Sequence, residues 1–145
     1  MDYRQATARC WMEIDLDVVA SNYRAARRIC GAGVKVIPVL KANAYGLGAA
    51  RLCRLLRDEG AELFCVAELN EALEVISACG ADALVMGMIA PIQMEEAVRA
   101  GVIATVYDLD QAKALSDAAQ QIPCAMFRAF MEALRPVVEA MGRTL

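Results

Sequence analysis

Residues 34–48 read VKVIPVLKANAYGLG, an apolar run followed by a lysine, small residues, a tyrosine and two glycines. The apolar part is short, nearly continuous and rich in β-branched residues, which is typical of a strand covered on both faces in a parallel sheet. Lys41 follows it directly. Because ligands of α/β folds bind at the carboxyl ends of parallel strands, the stretch predicts a buried strand that ends on a lysine in a ligand site.

A lysine in such a position can act as a nucleophile. Its amine is normally protonated, with a pKa near ~10.4, but apolar surroundings favour the neutral form, which attacks an aldehyde to give a Schiff base. Asn43 and Tyr45 have polar tips that can orient a ligand, and Gly46 and Gly48 let the backbone turn closely around it. The alternative is a solvated strand end at Lys41 and a half-buried packing role for Tyr45.

Composition narrows the chemistry that this chain can perform. The 145 residues are 59% hydrophobic, which suffices for one core, and a net charge of −3 without a basic cluster argues against nucleic-acid binding. The sequence has no histidine, so histidine bases and histidine metal sites are excluded. Six cysteines without a CxxC pair predict buried free thiols in a reducing compartment, and no metal site.

The hydropathy pattern gives no sign of a membrane protein. The first nine residues are polar and lack a secretory signal, and the longest apolar stretch, residues 83–92, is shorter than the roughly 20 residues that span a bilayer. We therefore expect a cytoplasmic protein without membrane or nucleic-acid partners.

The remaining pattern predicts an α/β fold. Residues 10–16 alternate like a half-buried strand, and Asp15 or Asp17 can cap a helix that follows. Gly60, Gly80 and Gly101 then each open a short apolar strand after a helical stretch, and Asp108 or Asp110 can cap a last helix. Such repeats indicate right-handed βαβ units around a parallel sheet.

About four βα units fit between Lys35 and Pro123, whereas a complete (β/α)8 barrel takes about 250 residues. The fold prediction is a partial (β/α)8 TIM-type barrel with a C-terminal helix. Pro38 argues for a bulge or an edge in the first strand. Half a barrel has two open sheet edges, so we expect a homo-oligomer or a chain prone to aggregation.

Two motifs resemble the alanine racemase family. KANAYG after an apolar strand resembles that family's pyridoxal-phosphate lysine motif, usually VKANAYGHG, and RCWMEIDLD, residues 9–17, resembles its N-terminal signature. Asn22 and Tyr23 match its first helix, which often reads NYR. The resemblance covers residues 9–123, the start of the barrel domain. Residues 124–145 diverge into a helical tail, so that 1–145 is interpreted as one domain, an N-terminal portion of such a barrel.

The resemblance implies that pyridoxal 5′-phosphate forms a Schiff base with Lys41, which also serves as one of two catalytic bases. It implies that Tyr45 contacts the cofactor phosphate and that Val39 and Met86 lie near the ring. The family reaction interconverts L-alanine and D-alanine. The partner subunit's tyrosine base, the arginine facing the pyridine nitrogen and most of the phosphate cradle have no counterpart here, and Leu47 replaces the motif's histidine.

Three interpretations follow from the resemblance. The first is a truncated racemase-family chain with little or no activity by itself. The second is another pyridoxal-phosphate protein of the same fold, a decarboxylase or a cofactor carrier. The third is a non-catalytic α/β fragment.

Overall fold

The computed structural model describes residues 10–121, so the predicted tail at 124–145 and Cys124 lie outside the described residues. The chain divides into two compact units, residues 1–36 and residues 37–145.

The described part of the first unit is organised by helix α1, Leu16–Cys30. The predicted cap is confirmed at Asp15, whose carboxylate accepts hydrogen bonds from the backbone N–H groups of Asp17 and Val18 at 3.0 and 3.1 Å. Ala20 and Tyr23 are buried, and the Tyr23 hydroxyl donates to the Val36 carbonyl at 3.3 Å. These contacts fix the helix against the segment that follows it.

The strand predicted for residues 10–16 is wrong. Residues 10–15 form no strand, and Trp11 and Met12 are 54% and 62% exposed. Alternation produces a strand only where another strand supplies the ladder hydrogen bonds, and the described chain offers this segment no such partner. Residues 10–16 therefore have the alternating side-chain pattern of a strand but no backbone pairing with another described strand.

The described part of the second unit alternates helices with a parallel sheet. Its strands are β1 (Leu63–Val66), β2 (Asp82–Val85) and β3 (Ile103–Ala104), in the spatial order β1-β2-β3. Its helices are α2 (Lys41–Tyr45), α3 (Ala49–Asp58), α4 (Leu69–Cys79), α5 (Met94–Arg99) and α6 (Leu109–Gln120), with a 3-10 turn at Pro91–Gln93. Leu63 pairs with Asp82 and Leu84 with Ile103, so both strand pairs are parallel.

The predicted glycine–strand repeat is therefore confirmed at all three positions. Gly80 ends α4 in the left-handed conformation, with φ of 63°, and donates its N–H to the Ile76 carbonyl at 2.9 Å. Asp108 caps α6 by accepting from the Gln111 N–H at 2.7 Å. The fold is a partial α/β barrel of the TIM type.

The first predicted strand, residues 34–40, is reduced to one parallel bridge between Val39 and Cys65. Leu40 donates to the Cys65 carbonyl at 2.8 Å, and the Cys65 N–H donates to the Pro38 carbonyl at 2.9 Å. Pro38 has no N–H with which to continue the ladder, so the pairing stops there. This corrects the prediction of a buried strand, since Val34, Ile37 and Val39 are 55%, 38% and 37% exposed.

The core of the second unit lies between the sheet and its helices. Its fully buried side chains include Phe64, Val66 and Val85 from the strands and Leu69 and Val75 from α4. Burying each such side chain stabilises the fold by roughly 1.5–3 kcal/mol relative to exposure. The strands are thus held firmly enough to present their carboxyl ends at defined positions.

Gly87 lies where β1 and β2 leave the sheet together. Its N–H donates to the Ala67 carbonyl at 3.1 Å, and a Cβ at this position would lie 2.4 Å from the same oxygen. Real Cβ atoms do not come that close to a backbone oxygen, so only glycine fits without displacing the chain.

Across residues 10–121, no helix combines the length and the apolar character that a membrane span requires. The cytoplasmic location stays a prediction.

Candidate active site

Lys41 lies directly after the bridge that replaces the first strand. Leu40, the preceding residue, is 3% exposed and anchors the backbone, whereas the lysine side chain is partly exposed. Within the described part of the chain, its amine has neither a hydrogen bond nor an ion pair. The geometry therefore presents an accessible amine at the carboxyl edge of the sheet, where the sequence placed it.

The residues after Lys41 wind in the left-handed sense. Ala42, Asn43, Ala44 and Tyr45 all have positive φ, between 52° and 57°. Backbone hydrogen bonds hold the turn, from Ala44 to Leu40 at 2.8 Å and from Gly46 to Ala42 at 2.9 Å. L-residues adopt this conformation at a cost of about 1–2 kcal/mol each, so the surrounding contacts must compensate for several strained residues.

Asn43 serves the backbone in a way that the sequence did not reveal. Its side-chain oxygen accepts from the Ala49 N–H, the first residue of α3, at 2.7 Å. This bond satisfies one of the donors that a helix N-terminus leaves without partners. The bond gives Asn43 a structural role, and orientation of a ligand by its side chain stays a prediction.

Tyr45 is 63% exposed at the end of the left-handed turn. A phenol held there by the backbone presents a hydroxyl that can donate and accept hydrogen bonds. Gly46 and Gly48, with φ of 85° and 95°, allow the chain to leave the turn and enter α3.

Val39 and Met86, the apolar residues implied for the ring, both lie at the carboxyl edge of the sheet. Val39 bridges to Cys65, and Met86 follows β2 and donates its N–H to the Val66 carbonyl at 2.9 Å. All four predicted site residues, Lys41, Tyr45, Val39 and Met86, thus belong to segments that follow or end strands at one edge. Whether they contact a cofactor stays a prediction.

Glu71 is a member of this edge that the sequence did not single out. One of its carboxylate oxygens accepts from the Ala42 N–H at 2.5 Å and the other from the Ala67 N–H at 2.8 Å. The sequence places Glu71 in the first turn of a helix that follows a strand, and this is its only distinguishing feature. Acidic residues are common at that position in any helix, so the sequence alone does not predict a role at the site.

Tyr107 was missed as well. Its hydroxyl donates to the Met86 carbonyl, and its N–H donates to the side-chain oxygen of buried Gln111 at 2.8 Å. These bonds link the segment after β3 to the segment after β2, so neighbouring strand ends are fixed to each other. A tyrosine three residues beyond a short strand could have been noted as a candidate, since it follows the carboxyl end of a strand as the other candidate residues do.

The cysteines near the sheet are unreactive by environment. Burial raises the pKa of Cys65, which lies beside Val39, and burial, with the neighbouring Cys79 thiol as a lesser cause, raises the pKa of Cys53 to about 12. A thiol with a raised pKa is rarely the nucleophilic thiolate at neutral pH. Cys10 and Cys30 are exposed, which corrects the expectation that the thiols are buried. Residues 10–121 contain no cluster of three potential metal ligands.

Comparison with known protein families gives a match to one family. The model described as "Alanine racemase, N-terminal domain" matches residues 14–129. Among curated proteins, alanine racemase 1 of Caldanaerobacter subterraneus is 36% identical over 105 residues, covering 72% of this chain and 27% of its own length. An alanine racemase of Clostridium perfringens is 39% identical over 114 residues, 77% of this chain and 29% of its own.

Solved structures give the same result. The alanine racemase from Bartonella henselae with covalently bound pyridoxal phosphate superposes with a TM-score of 0.69 and 25% identity, covering 74% of this chain and 32% of its own. The Bacillus anthracis alanine racemase with bound L-Ala-P gives a TM-score of 0.67 and 29% identity over 76% and 28% of the two chains. The chain thus spans about a third or less of the relatives that it matches.

Proposed function

We propose that Lys41 binds pyridoxal 5′-phosphate covalently in this chain, which belongs to the alanine racemase family. The chain matches that family through its N-terminal domain. The observation that carries the proposal is the accessible Lys41 amine at the carboxyl edge of the parallel sheet. A primary amine at that position suits a ligand that carries an aldehyde.

The residues around Lys41 fit the chemistry of this group. Tyr45 offers an exposed hydroxyl for an anionic oxygen, and Val39 and Met86 offer apolar surface for an aromatic ring. When bound, the cofactor supplies an electron sink for the α-carbon of an amino acid. The chain itself supplies the amine, its orientation and the partial exclusion of water.

We further propose alanine as the family substrate, and little racemase activity for this chain alone. Racemisation moves a proton between two faces of one carbon, so two bases are needed, one on each face. Lys41 supplies one of them, and the tyrosine that the family resemblance assigns to the other has no counterpart in this sequence. The decarboxylase and carrier alternatives share the lysine, whereas the AYG continuation at residues 44–46 favours the racemase family.

The experiment is covalent trapping with cofactor. Purified chain is mixed with pyridoxal 5′-phosphate, its visible absorption is recorded, and borohydride then fixes any adduct for peptide mapping. The chain has three lysines, at 35, 41 and 113, so each can be compared with the other two. We expect the absorption band and the trapped label to depend on Lys41.

Lys41→Ala should abolish both signals, and Lys113→Ala, which removes an exposed lysine of α6, is the matched control that should leave them intact. Equal labelling of all three lysines would refute the proposal and leave the non-catalytic α/β fragment as the better interpretation. If the label is specific, alanine racemisation is then measured with and without added C-terminal domain from a relative.

We also propose that the chain self-associates through its sheet edges. β3 pairs on one side with β2, and no strand of residues 10–121 pairs with its other side. Unpaired backbone donors and acceptors on an exposed strand favour pairing with another chain.

A further inference from the structure

The side chain of Glu71 joins two backbone segments that are far apart in sequence. Its carboxylate accepts from the Ala42 N–H at 2.5 Å and from the Ala67 N–H at 2.8 Å, one oxygen for each donor. Ala42 is the residue after Lys41, and Ala67 is the residue after the last residue of β1. One carboxylate therefore ties the start of the left-handed turn to the carboxyl end of β1.

The helix that carries Glu71 is well anchored. Leu69 and Ala72, on either side of it in α4, are 2% and 0% exposed. Glu71 itself lies in the first turn of α4, where a carboxylate is also favoured by the positive end of the helix dipole. The carboxylate is thus held in place by the packed core and not by the turn that it contacts.

The turn needs such a contact because of its conformation. The Leu40 N–H is bonded to the Cys65 carbonyl, and two residues later the backbone enters positive φ at Ala42. An L-residue in that conformation relaxes unless neighbouring groups hold it, and hydrogen bonds to an ionised acceptor are among the stronger ones available. The Ala42 N–H belongs to the peptide group that joins Lys41 to Ala42, so fixing this N–H also fixes the backbone that carries the lysine side chain.

We infer that Glu71 is a positioning residue for Lys41, which it orients by fixing the Ala42 amide against the end of β1. The inference rests on the proposed function only in that the oriented amine is the one that takes up the cofactor. The competing account is that Glu71 merely caps α4, since its bond to the Ala67 N–H resembles the contact of a helix capping box.

Two variants and one control separate these accounts. Glu71→Gln keeps the volume but retains one acceptor oxygen for two N–H donors, and Glu71→Ala removes both acceptors. Glu74→Gln, at an exposed position of the same helix, is the matched control. For each protein, amide hydrogen exchange at Ala42 and Ala67, thermal unfolding, and the rate of Lys41 labelling by pyridoxal phosphate and borohydride are measured, with Lys113 labelling as an internal reference.

We expect Glu71→Gln to slow Lys41 labelling about tenfold relative to Lys113 and to speed amide exchange at Ala42, with Glu74→Gln unchanged. Glu71→Ala should show larger changes in the same directions. If Glu71→Ala fails to fold, the isosteric Glu71→Gln decides the result. Faster exchange at Ala67 alone, with Lys41 labelling unchanged, would overturn the inference in favour of a helix cap.

A separate readout keeps this inference distinct from cofactor binding. Reductive methylation with formaldehyde and borohydride modifies Lys41 without any cofactor site. If wild-type Lys41 showed no preference for pyridoxal phosphate, the proposed function would fail, while a change of the Lys41 to Lys113 methylation ratio in Glu71→Gln would still support the positioning role. An unchanged ratio with unchanged Ala42 exchange would refute it.

Discussion

Single residues determine what the edge of this sheet can do. Lys41 supplies an accessible amine, while Asn43 accepts from the Ala49 N–H and Glu71 accepts from the Ala42 N–H. A hydrogen bond to an ionised carboxylate, such as that of Glu71, contributes about 1.5–3 kcal/mol, which is comparable to the strain of one or two left-handed residues. The polar side chains around the lysine therefore act mainly on conformation.

Titration of Cys53 gives a prediction at this scale. Burial, with the neighbouring Cys79 thiol as a lesser cause, raises its pKa in the folded chain from 9.0 to about 12. The folded state thus favours the neutral thiol, so the stability that it contributes is fully present below pH 9 and is lost as the pH rises toward 12. We expect the free energy of unfolding to fall by roughly 1–2 kcal/mol between about pH 8 and pH 10.5, since each pKa unit corresponds to about 1.4 kcal/mol.

Urea unfolding at several pH values measures this effect. Cys53→Ala should be less stable by about 1 kcal/mol at neutral pH but should show a flatter decline in alkaline solution, because it lacks the thiol that must ionise. Cys30→Ala, which removes an exposed thiol, is the control and should follow the wild-type slope. Parallel slopes for wild type and Cys53→Ala would contradict the assignment of the alkaline loss to Cys53.

The position of Lys41 could be predicted from the sequence because the end of an apolar run is a local feature, while its reaction with a cofactor stays a prediction. It could not predict Glu71, whose partner at Ala42 is 29 residues away, or the use of the Asn43 oxygen by Ala49. Such bonds depend on where the turn places its backbone donors. The pattern of residues 41–45 does not predict the left-handed conformation that Ala42 and Ala44 adopt.

At the scale of elements, the repeats of glycine and strand translate directly into β1, β2 and β3, whereas two predicted strands are lost. Of the lost strands, residues 10–16 pair with no strand within residues 10–121, and residues 34–40 keep a single bridge, from Val39 to Cys65. Side-chain pattern can be read from one segment, but a strand exists only as a pair. Strand predictions therefore succeeded where the described chain supplies a pairing strand and failed where it does not.

Replacement of Gly87 tests how closely β1 and β2 approach at their ends. The added Cβ of Gly87→Ala would lie 2.4 Å from the Ala67 carbonyl oxygen, so the backbone must shift and the bond from the residue 87 N–H must weaken. We expect a loss of at least about 2 kcal/mol in the free energy of unfolding, within the range typical of overpacking at a rigid site. Thermal and urea unfolding measure it.

Gly33→Ala is the matched control, because its Cβ would meet no atom within 4 Å and its φ is not positive. It should be neutral or stabilising by a few tenths of a kcal/mol, since alanine restricts the unfolded chain. Equal effects of the two substitutions would show that β1 and β2 tolerate separation at this point.

For the molecule as a whole, the main fact is that the described chain forms only part of a barrel. A closed barrel has no free strand edges, whereas this sheet has one at β3 and another beside the Val39 bridge, as far as residues 10–121 show. An exposed strand edge can pair with a strand of another chain, so the state of association is the property to test at this scale.

The edge at β3 gives a prediction at this scale. Ile103 is 41% exposed on that strand, and a charged residue on an edge strand disfavours pairing with another chain. We expect the wild-type chain to sediment as concentration-dependent oligomers and Ile103→Lys to shift the distribution toward monomer. Sedimentation velocity over a hundredfold range of concentration, on the order of micromolar and above, measures both.

Ile92→Lys provides the control for general loss of surface hydrophobicity. Ile92 is 92% exposed but lies in the 3-10 turn at Pro91–Gln93, away from any strand. It should leave the oligomer distribution unchanged. Monomeric wild-type chain at every concentration would contradict the edge-pairing proposal.

The turn at Ala42–Tyr45 has a further consequence, which concerns mirror-image residues. Positive φ near 50° is the conformation that D-amino acids prefer, for the same steric reason that L-residues avoid it. A semisynthetic chain with D-alanine at position 42 should therefore adopt this turn with less strain than the natural chain, although its side chain points elsewhere. The segment that follows Lys41 thus consists of L-residues in a backbone conformation that their D-enantiomers would adopt with less strain.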